Sequence, residues 1–138
     1  ALPKAIICDL DGTLALMNGR DPFMAKNCDQ DLLNTPVADL VKLKAKEGCK
    51  ILLFSGRSEE YKAPTLEWLS RYEIPYELLR MRKVKDNRKD SIVKKEFFEE
   101  EVSGKYNIEF VLDDRNQVVD LWRDDLGLAC FQVYYGDF

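Results

Sequence analysis

The chain has 138 residues, 46% of them hydrophobic and 33% charged, with a formal net charge of −4. That balance suits a globular domain with a core of its own and excludes a disordered segment; no apolar run approaches the roughly 18–20 residues of a membrane helix, and no signal-peptide pattern is present. There is no histidine, which removes Ser-His-Asp and Cys-His catalysis, His-based zinc hydrolysis and His phosphotransfer together.

Ala5 to Cys8 is a continuous apolar run that predicts a strand covered on both faces, and it leads into Asp9-Leu10-Asp11-Gly12. Thr35 predicts an N-cap with Pro36 at the first helical position. Val37, Leu40 and Val41 recur at helical spacing, and Gly48 stops the helix. Residues 51–54 form a second buried strand ending at Ser55-Gly56-Arg57. A helix over 63–72, with Leu66 and Leu69 on one face, precedes a strand over 76–79. The next helix runs from about Asp90 to Glu101 and ends at Ser103-Gly104. Residues 108–112 are a strand running into Asp113-Asp114. Val118, Val119, Trp122 and Leu126 mark the buried stripe of a helix that begins near Arg115 and closes at Gly127. Residues 130–133 are the last strand.

Strand and helix thus alternate five times. That order predicts an α/β fold, a doubly wound, Rossmann-like parallel sheet with helices on both faces, as one domain over residues 1–138. The interval between Gly12 and Ser55 holds a loop and one helix, room for a minimal cap only. Four cysteines, at 8, 28, 49 and 130, lack C-x-x-C spacing. Cys8, Cys49 and Cys130 adjoin apolar runs and read as core, whereas Cys28 lies in a polar loop with no evident role. A reducing cytoplasm is the expected location.

In such sheets the site lies outside the carboxyl ends of the strands. Three of the ends carry polar groups: Asp9 and Asp11, Ser55-Gly56-Arg57, and Asp113-Asp114. Carboxylates from separate strands repel unless a cation sits between them, and oxygen-only ligands suit Mg²⁺. Such a metal, held by Asp9 and the Asp113-Asp114 pair, suits a phosphoryl group. Asp9 is then placed to attack phosphorus, and Asp11 to give a proton to the leaving oxygen and later take one from water. Gly12 allows the turn that brings both acids to one substrate. Ser55 and the Gly56 N–H are placed to hold phosphoryl oxygens. Lys94 supplies positive charge, one helical turn from Asp90, which orients it.

Each feature alone has a plainer explanation: a polar strand end, an N-cap at Asp113-Asp114, a surface Lys–Asp pair. Their order on successive strand ends favours chemistry. Between Arg80 and Lys95 the local charge is +6, which is either a solvated face or a patch for a polyanion.

The motifs "DLDGTL", "FSGR", a downstream Lys and "LDD" resemble the haloacid dehalogenase (HAD) superfamily of Mg²⁺-dependent phosphotransferases. "CDLDGTLALMNGRDPF", "RKDSIVKKEFF", "LDDRNQVVDLWR" and the terminal "GDF" resemble, over essentially the whole chain, the 3′-phosphatase domain of the polynucleotide kinase/3′-phosphatase family known from bacteriophage. The resemblance implies a HAD-type fold and removal of 3′-phosphate from DNA or RNA ends through an aspartyl-phosphate, in nucleic-acid end repair. It extends by likeness to 2′,3′-cyclic phosphate ends. It makes Asp9 the nucleophile, Asp11 the acid/base and Lys94 a third catalytic residue that completes the charge network with Asp90, and it makes Arg20 and Arg57 contacts to substrate phosphate. The metal falls to Asp9, Asp11, Asp113 and Asp114.

The chain departs from the pattern after Arg57, where the segment is short, and at Ser91, where another acid is expected. The kinase signature G-x-x-x-x-G-K-[ST] is absent, so this chain alone is not the kinase; a 5′-kinase in a parent chain or in a separate protein is an expected partner. A phage-encoded chain would work in the host cytoplasm. A small-molecule phosphatase acting on nucleotides or sugar phosphates, and a non-catalytic nucleic-acid binding module, are the alternatives.

Overall fold

The computed structural model describes residues 1–21 and 24–138; Pro22 and Phe23, which end the longest N-terminal motif, lie outside the described residues. Its centre is strand β1 (Lys4–Asp9), buried from Ala5 onward. A short hairpin follows, β2 (Ala15–Leu16) with β3 (Leu32–Leu33), and its connection carries 3-10 turns over Ala25–Gln30. Then come α1 (Thr35–Lys46), β4 (Lys50–Ser58), α2 (Lys62–Arg71), β5 (Leu78–Arg82), α3 (Asp90–Glu101), β6 (Asn107–Arg115), α4 (Asn116–Asp120) and β7 (Cys130–Gly136). α4 runs on into a π-type turn over Leu121–Asp125.

Five strands form one parallel sheet in the order β5-β4-β1-β6-β7. The oily run in β1 needs no polar face because helices cover both sides. Ile6 and Cys8 point to a core shared with Val37, Ala38 and Val41 of α1 and Trp68 and Leu69 of α2. Ala5 and Ile7 point the other way, to Val93 and Phe97 of α3 and Val118, Val119 and Trp122 beyond β6. The alternation of one strand between two cores is the strand period of two at work. The α/β, doubly wound architecture expected from the element order is the architecture present.

Local expectations shift in five places. The N-cap of α1 is Asn34, and Thr35 is already helical; Asn34 spends its side-chain amide on the Thr13 carbonyl at 2.7 Å. On α2, Leu66 is 36% exposed while Trp68 and Leu69 are buried, so the apolar stripe is rotated from the one expected. β5 starts two residues later and ends three later than expected, since Leu52 to Ser55 of β4 pair with Leu78 to Met81. The interval from Gly12 to Ser55 contains the β2–β3 hairpin as well as a helix. Cys28, expected in a polar loop, is fully buried with its Sγ 3.6 Å from Thr65 Oγ1. All four cysteines are free and buried. Among the described residues no helix is long and apolar enough to cross a membrane.

Candidate active site

Parallel neighbours deliver their carboxyl ends to the same edge of a sheet, and β1 and β6 pair Cys8 with Leu112. The next residues, Asp9 and Asp113, therefore emerge side by side, with Asp114 one step on. One oxygen from each of Asp9, Asp113 and Asp114 lies within 4.8 Å of the others. Lys94 enters from α3, 1% exposed, with Nζ 2.7 Å from Asp9 Oδ1 and 3.3 Å from Asp113 Oδ2. Asp90, one turn earlier, lies 3.6 Å from the same ammonium, so the expected Lys94–Asp90 pair is present and buried.

Neutral donors complete the cluster. Thr13 Oγ1 lies 3.0 Å from Asp9 Oδ2 and 3.3 Å from Asp114 Oδ1. Trp122 Nε1 donates to Asp113 Oδ2 at 3.2 Å, and Asp113 Oδ1 accepts from the Asp114 N–H at 2.9 Å. Burial pushes the Asp9 carboxyl well above the ordinary carboxylate range; Lys94 pulls it back, while Asp113 and Asp114 push it further up. Burial also raises Asp114. For Lys94 burial disfavours the charge, but Asp113, Asp9 and Asp90 outweigh it and the ammonium holds its proton more tightly than usual. One internal cation facing three buried carboxylates leaves negative charge in excess. An all-oxygen donor set of this kind fits a hard divalent cation.

Asp11 is not in that cluster, although expected among the metal ligands. Its carboxylate is turned to two arginines. Arg57 donates Nε at 3.1 and 3.2 Å to the two oxygens and Nη2 at 2.8 Å to Oδ1; Arg20 Nη2 donates to the same Oδ1 at 2.8 Å. Both arginines also bind Asp31. Arg20 reaches it through Nε at 2.8 Å and Nη2 at 3.0 Å, and Arg57 through Nη2 at 2.9 Å. Two guanidinium groups and two carboxylates thus close a ring, with Asp31 on the buried side. Burial raises the Asp11 carboxyl, yet Arg57 and Arg20 overcome it and hold the group below its ordinary value. Thr65 accepts the remaining Arg57 Nη1 at 3.0 Å.

A cleft of about 870 Å³ opens over these groups, bordered by Asp9, Asp11, Gly56, Arg57, Asp113, Asp114, Arg115, Phe138 and residues 86–90. Gly12 has φ +81°, and a side chain there would collide with the Asp114 carboxylate; the turn that separates Asp9 from Asp11 needs glycine twice over. At Gly56 a Cβ would collide with Asp90. Ser55 is buried, its Oγ accepting the Arg57 N–H at 3.1 Å.

Half of the basic run from Arg80 to Lys95 is tied up in ion pairs, while Lys83, Lys85, Lys89 and Lys95 stay exposed. Arg80 pairs with Glu100 and Glu101, Arg82 with Asp90, Arg88 with Asp86 and Glu96, and Lys94 with the acid cluster. Arg82 also donates to the carbonyls of Gly56, Asp86 and Arg88, tying the 82–90 loop to the cleft. The run thus does both: Arg82, Arg88 and Lys89 border the cleft, and Lys83, Lys85 and Lys95 face solvent.

Three site residues escaped the sequence. Thr13 directly follows the acid-glycine motif, and its hydroxyl four residues after Asp9 was a readable signal. Asp31 and Trp122 carried none: one is an acid in a connecting segment, the other belongs to an apolar stripe.

Solved structures share the fold. The class C acid phosphatase of Bacillus anthracis matches at a TM-score of 0.65 and 19% identity, over 99% of this chain and 67% of that one, a likeness of fold alone. A chain in the Pnkp1/Rnl/Hen1 complex matches at TM-score 0.98 and 61% identity, over 100% of this chain and 48% of that chain. A second such structure, titled as the Pnkp1/Rnl/Hen1 RNA repair complex, gives 0.97 and 61% over 99% and 44%. A protein named as a bifunctional polynucleotide kinase/RNA ligase, from Autographa californica nuclear polyhedrosis virus, is 39% identical over 125 residues, 88% of this chain and 18% of that protein. The chain spans less than half the length of these last three.

The family comparison identifies a phosphatase domain of the HAD type, which the sheet, acid cluster and buried lysine fit. More narrowly, residues 3–138 match the model of the polynucleotide kinase PNKP phosphatase domain, and the chain belongs to that family.

Proposed function

We propose that residues 1–138 act as one phosphatase domain that removes the 3′-terminal phosphate from RNA or DNA ends through a phosphoryl-Asp9 intermediate. The observation that carries this reading is the division of labour between two acids two residues apart. Asp9 sits in the acid cluster, oriented by Lys94 and Thr13. Asp11 stands outside it, held by two arginines.

Asp9 attacks phosphorus, and the bond from phosphorus to O3′ breaks. The departing O3′ takes a proton from Asp11. Asp11 then removes a proton from water, which attacks the phosphoryl-Asp9 and frees inorganic phosphate and the Asp9 carboxylate. In the resting site Asp11 is ionised against Arg57 and Arg20. An incoming phosphate shares those arginines, which loosens their hold and lets Asp11 take up the proton it must give. The Gly56 N–H and Ser55, at the end of β4, lie where phosphoryl oxygens are held, and Asp90 keeps Lys94 aimed at Asp9. Asp9, Asp113 and Asp114 would hold Mg²⁺, which supplies positive charge to the phosphoryl oxygens when bound. The same chemistry extends to opening 2′,3′-cyclic phosphate ends.

The family match supports a polynucleotide substrate, and so does a cleft over which no large lid lies among the described residues. The names of the relatives, and the fraction of each that this chain spans, support a 5′-kinase in the same polypeptide or in a companion protein. Four free, buried cysteines fit a reducing cytoplasm. The test compares a 3′-phosphorylated oligonucleotide with a nucleoside 3′-monophosphate and a sugar phosphate, with Mg²⁺ and with chelator, across salt. The expected result is Mg²⁺-dependent turnover that favours the oligonucleotide and weakens with salt. Equal rates on all substrates, indifferent to salt, would favour a small-molecule phosphatase.

A further inference from the structure

The phosphoryl chemistry leaves one part of the cleft without a task. A terminal phosphate fills a small fraction of 870 Å³, whereas pockets of roughly 300–1,000 Å³ take whole small molecules. At its rim lies the ring of Phe138, 65% exposed. A solitary exposed phenylalanine is ordinary on a protein surface. This one is fixed from two directions. Its carbonyl accepts hydrogen bonds from Arg115 Nε at 2.7 Å and Gln117 Nε2 at 3.2 Å, and the Arg115 guanidinium carbon stands 4.7 Å from the ring centroid.

Arg115 directly follows Asp113 and Asp114 at the end of β6, and its Nη1 lies 3.7 Å from Asp90, the partner of Lys94. The aromatic ring is therefore braced against the strand that carries the acid cluster. Met17, 41% exposed, adds a second apolar side chain to the same cleft.

We infer that Phe138, backed by Arg115, forms a nucleobase subsite that takes the base of the terminal nucleotide by stacking while the 3′-phosphate lies among Asp9, Asp11 and Arg57. A planar base continues the Arg–Phe stack, and aromatic stacking accepts any base because every base presents a π face. The subsite explains how one cleft engages a nucleic-acid end without reading its sequence. It rests on the polynucleotide reading above.

The experiment uses the full chain and two oligonucleotides that end in the same 3′-phosphate. One carries a normal terminal nucleotide and the other an abasic one. The wild-type protein is expected to show a KM lower for the base-bearing end by on the order of tenfold, the size of one base–aromatic stack. In F138A that ratio collapses toward one, and F138W restores it. A stack contributes the same to substrate and transition state, so the change falls in KM rather than kcat. A wild-type ratio near one, or the same ratio in wild type and F138A, overturns the subsite. Wild-type protein that hydrolyses neither oligonucleotide overturns the polynucleotide reading itself, and the subsite with it.

Discussion

Arg57 holds Asp11 as a fork: Nε is shared between both carboxylate oxygens at 3.1 and 3.2 Å, and Nη2 meets Oδ1 at 2.8 Å. One guanidinium on β4 thereby sets the direction of an acid on the turn after β1. The planar fork is what a lysine cannot reproduce. Arg57→Lys keeps the charge and loses the geometry, and its kcat/KM on a 3′-phosphorylated oligonucleotide is expected to fall on the order of a hundredfold. Steady-state kinetics checks this, with far-UV circular dichroism to show that the fold is retained.

Asp31 is the buried anchor of the same ring, its side chain 1% exposed between Arg20 and Arg57. Its carbonyl also accepts Trp68 Nε1 at 2.8 Å, so it ties the β2–β3 hairpin to α2. Without its charge two buried guanidinium groups share Asp11 alone, and breaking a buried ion pair costs about 3–5 kcal/mol. Asp31→Asn is expected to lose stability on that order in urea unfolding. It should also raise KM, because Arg20 and Arg57 lose their fixed orientation toward the phosphate.

The pH dependence of stability follows from Asp11. Its folded carboxyl is held below the ordinary value of 3.8 despite burial, through Arg57 and Arg20. A depressed folded value means that the pairing stabilises the fold above the unfolded value and fades as pH falls through the folded one. In metal-free protein, the difference in Tm between wild type and Asp11→Asn is expected to be steady near neutrality and to close below about pH 4. A difference that widened in acid would contradict the assignment.

Asp9, Asp113 and Asp114 predict stabilisation by a hard cation. Mg²⁺ at a hundredfold excess over its Kd should add about 2.7 kcal/mol to folding. Asp114→Asn should remove most of that gain while leaving the metal-free protein no less stable, since burial already raises the Asp114 carboxyl and so disfavours its charge. Thermal melts with and without Mg²⁺, for both proteins, test it.

The fold was legible because it is written in runs. Ala5 to Cys8 and residues 51–54 are apolar on every residue, as strands covered on both faces are, and five strand-like runs alternate with helical stripes. Asp9, Lys94 and Asp113-Asp114 were legible because strand ends in such a sheet converge. The arginine ring was only half legible. Arg20 and Arg57 stood in motifs, but their shared partner Asp31 sits in a connecting segment, and nothing in local pattern separates it from Asp29. The orientation of Asp11, toward arginines and away from the acid cluster, depends on side chains 9 to 46 residues away. Pattern reading does not reach that far. The pairing within the basic run was not legible for the same reason: the partners of Arg80 and Arg88, Glu96, Glu100 and Glu101, lie on α3.

Everything in the proposed reaction turns on Asp9 carrying the phosphoryl group. A single turnover with an oligonucleotide bearing a radiolabelled 3′-phosphate, quenched in acid and digested, tests it most directly. Label is expected on the peptide containing Asp9, rising and decaying ahead of free phosphate, and absent in Asp9→Asn along with all turnover. Free phosphate appearing at the full rate with no labelled protein at any quench time, or normal turnover by Asp9→Asn, would contradict it.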